Sequence, residues 1–93
     1  MSIVIVGGND CMASRYKQLC KERKCKAKVF TQPQGIRDQM GNPDLLVFFT
    51  NTVSHKMIHT ATAAFPGDPS QIVRCHSSSM SALRKILDQY AAG

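Results

Sequence analysis

The sequence predicts a small α/β domain: one doubly wound, parallel four-stranded sheet with helices on both faces. Three observations carry that expectation. Short β-branched or apolar runs alternate four times with segments of helical period, the βαβαβαβα order of a parallel sheet. The run Asp44–Phe49 is apolar from Leu45 on and of strand length, as a strand buried on both faces requires. The chain has 93 residues, 43% of them hydrophobic and 19% charged, which suits one core rather than two or none. A single domain is therefore expected over residues 1–93.

Ser2–Val6 is a β-branched run ending at Gly7 and Gly8, a strand followed by a turn. From Cys11 to about Arg23 the apolar positions Met12, Tyr16, Leu19 and Cys20 recur at helical spacing, with Lys17, Lys21 and Lys24 opposite them. Asp10 is placed to cap that helix. Lys26–Thr31 alternates polar and apolar, as a half-buried strand does. Gln34–Met40 fits a short helix closed by the turn signal Gly41-Asn42-Pro43.

After the third strand, Ser54 is a favourable N-cap for a helix over about His55–Ala64. Its expected inner stripe is Met57, Ile58, Ala61, Thr62 and Phe65, and Phe65-Pro66-Gly67 stops it. Gln71–Cys75 reads as a fourth strand. His76 and three serines then open a last helix with Met80, Leu83, Ile86, Leu87 and Tyr90 facing inward. Right-handed crossovers make the expected strand order 2-1-3-4, a Rossmann-like or flavodoxin-like half. Four strands leave two sheet edges open, which makes a homodimer the expected assembly.

No apolar run approaches the roughly 20 residues that cross a bilayer, and no secretory signal is visible. The four cysteines, Cys11, Cys20, Cys25 and Cys75, contain no Cys-x-x-Cys pair. Reduced thiols and a cytoplasmic location are the expectation. Cys25, set among lysines, is a candidate for a reactive thiol.

The net charge of +6 is localised: residues 15–28 hold seven basic side chains against Glu22 alone. Such a run suits a solvated helix face whose lysines favour the helix carboxyl end. Nucleic-acid association through 15–28 is the alternative. Aromatic residues are 6% of the chain and Trp is absent, so bases find few stacking platforms.

Open parallel sheets bind ligands at the carboxyl ends of their strands. This chain places small or hydrogen-bonding residues there: Gly7, Gly8, Asn9 and Asp10 after the first strand, Thr31 and Gln32 after the second, Thr50, Asn51, Thr52, Ser54 and His55 after the third, and His76, Ser77, Ser78 and Ser79 after the fourth. Two glycines let backbone amides approach an anion. The third glycine of a dinucleotide fingerprint is missing. Serines opening a helix supply hydroxyl and amide donors beside a positive dipole end.

His55 and His59 lie four apart on one helix, and His76 is a third nitrogen donor across the sheet end. A metal or haem held by His55 and His76 is thus an alternative, though no carboxylate completes a recognised ligand set. A Ser–His nucleophile is disfavoured, because only Asp10 offers an orienting carboxylate. The residues require no cofactor and leave any enzymatic activity open.

The stretches MSIVIVGGND, KAKVFTQ, GNPDLLVFFTNTVSHKM and VRCHSSS together resemble family twenty-three twenty-five of the bacterial domains of unknown function, a family frequent in Firmicutes. The resemblance spans essentially the whole chain and implies a small cytoplasmic α/β protein with no activity to transfer. It matches Asp10, Ser54, His55, His76, Ser77 and Ser78. Members usually carry Gly-Gly-His-Asp after the first strand, where this chain has Asn9. That exchange removes one donor from any metal set and favours recognition by hydrogen bonds.

The reading carried forward is a binding or regulatory module. Gly7, Gly8, Asn9, Asp10, Thr50, Asn51, Ser54, His55, His76, Ser77 and Ser78 would surround a small anionic, phosphate-bearing ligand.

Overall fold

In the computed structural model, which describes residues 1–90, four parallel strands stand in the order β2-β1-β3-β4. They are β1 (Ser2–Val6), β2 (Lys26–Phe30), β3 (Leu45–Phe49) and β4 (Ile72–Cys75). The helices are α1 (Ala13–Glu22), α2 (Ile36–Gln39), α3 (His55–Ala64) and α4 (Met80–Tyr90). The expected doubly wound sheet and strand order are both present. Residues 91–93 of the expected domain lie outside the described residues.

β3 is central and buried at every position, as its unbroken apolar run requires. Alternation along the strands divides the core in two. Ile3, Ile5, Leu45, Val47 and Phe49 face α1 and α4, meeting Tyr16, Leu19, Cys20, Leu83 and Leu87. Val4, Val6, Leu46 and Phe48 face α2 and α3, meeting Ile36, Met40, Met57 and Ala61.

Local chemistry sets the boundaries. A single 3-10 turn at Asp10–Met12 precedes α1. Asp10 does not cap the helix: its carboxylate accepts the Thr31 hydroxyl and pins the ends of β1 and β2 together. α1 ends in a Schellman turn, with the Cys25 N–H on the Cys20 carbonyl at 2.8 Å and the Lys24 N–H on the Lys21 carbonyl at 2.9 Å. Lys24 holds the left-handed position, φ 60°, where glycine is usual.

Ser54 caps α3 as expected, its Oγ accepting from the Met57 N–H at 3.2 Å. Asp68 and Gln71 form a capping box around the 3-10 turn Pro69–Gln71, so β4 begins at Ile72 rather than Gln71. Ser79 caps α4, accepting from the Ala82 N–H at 3.1 Å.

Two inner-stripe expectations fail. Thr62 is exposed, because Met57 and Ala61 meet the sheet and Thr62 lies about 100° further round the helix. Tyr90 is 39% exposed, closing α4 with its polar tip free to meet water. Cys25 is buried, with its thiol directed to the Arg23 carbonyl at 3.4 Å, so it is not open to oxidants as its lysine neighbours suggest.

Candidate functional site

The carboxyl ends of the strands form a stitched rim. Gly7 donates its N–H to the Phe30 carbonyl at 2.9 Å. Gly8 donates to Thr52 Oγ1 at 2.6 Å, and the same hydroxyl donates to the Phe49 carbonyl at 3.1 Å. Thr50 donates its N–H to the Cys75 carbonyl at 2.8 Å, with its hydroxyl 3.3 Å from the same oxygen. Tyr16 donates its hydroxyl to the Ser78 carbonyl at 2.5 Å. Burial, with the nearby Cys11 acting in the same direction, raises the Tyr16 pKa and keeps that proton in place.

This stitching changes the role of the glycine pair. Gly7 and Gly8 adopt φ +114° and +83°. A Cβ on Gly7 would stand 2.7 Å from Val53 Cγ1, and one on Gly8 would stand 2.6 Å from Tyr16 Cε2. The crevice between the β1 and β3 loops, where doubly wound sheets admit ligands, is filled by the protein's own Thr52, Val53 and Tyr16. Both glycine amides are engaged within the fold, so neither is a donor to an anion in this conformation.

The other expected residues divide by exposure. Asn9, Asp10, Asn51, Ser54, His55, His76 and Ser77 are exposed, while Thr50 and Ser78 are half-buried. Asp10 and Ser54 are spent on Thr31 and Met57. Ser77 Oγ bonds to Ser79, accepting from its N–H at 3.3 Å and lying 3.1 Å from its hydroxyl. The side chains left facing solvent with hydrogen-bonding capacity are Asn9, Asn51, His55 and His76, joined by the first-turn amides of α3 that no intrahelical carbonyl reaches. Among the described residues, no three His, Cys, Asp or Glu side chains converge to hold a metal ion, so His55, His59 and His76 do not form a ligand set.

The basic run 15–28 does not form one surface. Arg15, Lys17, Lys21 and Lys24 are exposed along α1 and its exit, and Arg23 pairs with Asp88 of α4. Lys26 and Lys28 alternate with Ala27 and Val29, which pack with α1, so the lysines project on the opposite face of the sheet.

That opposite face holds what the residue-by-residue reading missed. At the amino ends of β1 and β2, a cleft of about 330 Å³ is bounded by Lys26, Lys28, Ser2, Met40, Asn42 and Pro43. The signal for it is Lys-x-Lys on the sheet face that a crossover helix would normally cover.

No helix among the described residues is long and apolar enough to cross a membrane. Neither the curated proteins nor the solved structures contain a match to this chain. Residues 2–90 match the model of a family described as an uncharacterised protein conserved in bacteria, and with nearly its whole length inside that match the chain belongs to that family, DUF2325.

Proposed function

We propose that the protein is a binding or regulatory module that takes a small phosphate-bearing anion at the rim of strand carboxyl ends. The observation that carries this reading is the balance of charge and donors there. Asn9, Asn51, His55 and His76 are exposed on three loops tied to one another, and the one rim carboxylate, Asp10, is occupied by Thr31. Amide groups and the first turn of α3 suit an anion, and protonated histidines add charge-assisted hydrogen bonds. Because the crevice is filled, the ligand would rest on the rim rather than enter between β1 and β3.

Titration of isotopically labelled protein with inorganic phosphate, followed by NMR, tests the reading. Saturable shifts of the amides of residues 9, 51, 55, 56 and 76 are expected. His76→Ala should weaken binding and leave Tm nearly unchanged. A large fall in Tm would place His76 in the packing of the fold and overturn its assignment. A native mass spectrum of the same sample counts subunits and so tests the homodimer that the two open edges suggest.

A further inference from the structure

We infer that the cleft at the amino ends of β1 and β2 is a second binding site, for a small organic anion with a compact apolar body. The cleft arises from the length of one helix. α2 has four residues and rises about 6 Å, while the five-residue strands β1 and β2 run about 16 Å. α2 therefore begins beside Phe30, where Ile36 packs, and stops at Met40, which borders the Lys26 end without covering it.

The residues lining the bare end are matched to an anion. Register pairs Ser2 with Lys26 and Val4 with Lys28, so these four share one face. Lys26 is exposed with no partner among the described residues. Lys28 Nζ donates to the Gln39 carbonyl at 2.8 Å, which fixes its position and leaves two of its three N–H donors for a ligand. Met40 and Pro43 are buried walls, and Asn42 is an exposed amide beside them. The neighbouring carboxylate, Asp44, is not among the lining residues and accepts the Ser2 N–H at 2.8 Å.

Edge lysines alone would be explained as a guard against strand addition. That role needs no enclosing wall, yet Met40–Pro43 closes this edge into a cleft. Its volume of about 330 Å³ is at the lower end of small-molecule sites. The alkyl stems of Lys26 and Lys28 offer apolar surface to the ligand body, and their ammonium groups meet its head.

Benzoate and phenyl phosphate are the probes, with benzyl alcohol as the neutral control, each titrated into the full chain and followed by NMR. Both anions should produce saturable shifts at the amides of Ser2, Ala27, Gly41 and Asn42 with Kd on the order of 1 mM or tighter, and benzyl alcohol should not. The tighter anion identifies the head group. Lys26→Glu should weaken binding about tenfold with an otherwise unchanged spectrum. Lys28→Met, which keeps the stem, provides a second variant and should weaken binding in the same direction. Absence of saturable shifts at these amides, equal response to benzyl alcohol, or undiminished binding to Lys26→Glu would each overturn the inference. Shifts confined to residues 9, 51, 55 and 76 would overturn it while leaving the rim reading intact.

Discussion

The two ends of the sheet are built on opposite plans. At the carboxyl end, two glycines in left-handed conformations let Thr52, Val53 and Tyr16 press into the crevice, and hydrogen bonds tie the loops together. At the amino end, a one-turn helix leaves a lysine-bordered cleft open. Topology decides where loops gather, whereas helix length and side-chain volume decide where space remains. In this chain the polar loops and the lysine-bordered cleft are at different ends.

The contrast predicts unequal costs for equal substitutions. Gly8→Ala forces a Cβ into Tyr16 at φ +83° and should cost about 3 kcal/mol of unfolding free energy. Gly41→Ala, at φ +65° with Lys28 Nζ 3.6 Å away as its nearest neighbour, should cost about 1 kcal/mol. Urea unfolding of both variants checks this, and equal losses would break the comparison.

A pH titration sharpens it by testing the other face of the same amino end. Cys20 sits under the last turn of α1 with no exposure, and burial, aided by the adjacent Cys25, pushes its thiol from 9.0 up to about 11. The folded protein keeps this proton where the unfolded chain releases it. Its contribution is therefore fully present below pH 9.0 and is lost as pH rises toward 11, an effect on the order of 2 kcal/mol. Cys20→Ala should flatten that limb of the stability curve even as it lowers the plateau. An unaltered slope would show that water reaches this face as it reaches the cleft.

Thr52→Val preserves shape and strands the Gly8 N–H, so a loss of about 1–2 kcal/mol is expected. Asn42→Ala at the open end should stay within about 0.5 kcal/mol. One effect has the opposite sign. Lys24→Gly relieves a left-handed lysine and should raise stability by about 0.5–1 kcal/mol, read as a small increase in Tm.

Much of this architecture is legible in the residues. The run Leu45–Phe49 announces a strand covered on both faces, Ser54 announces the start of α3, and the alternating segments announce the strand order. The site is less legible, because a glycine pair reads the same whether it makes room for a ligand or for a tyrosine. Only the positions of Tyr16 and Val53, brought from elsewhere in the chain, separate the two. The role of Asp10 is hidden for a related reason: its partner, Thr31, lies 21 residues away. The run of charge at 15–28 is continuous in sequence but not in space, because a helix and a strand present its lysines to different faces.

The strand order also governs how the chain comes off the ribosome. β1 emerges first but stands in the interior of the sheet, between β2 and β3. One flank stays unpaired until Leu45–Phe49 has been made, and Ile3 and Ile5 lack their full cover until Leu83 and Leu87 follow. At bacterial elongation rates of about 5–20 residues per second, the nascent chain spends seconds with its most apolar strands uncovered. The core facing α2 and α3 has all its buried residues once Phe65 is made, whereas the core facing α1 and α4 waits for Leu83, Ile86 and Leu87, so the two faces of the sheet close in that order.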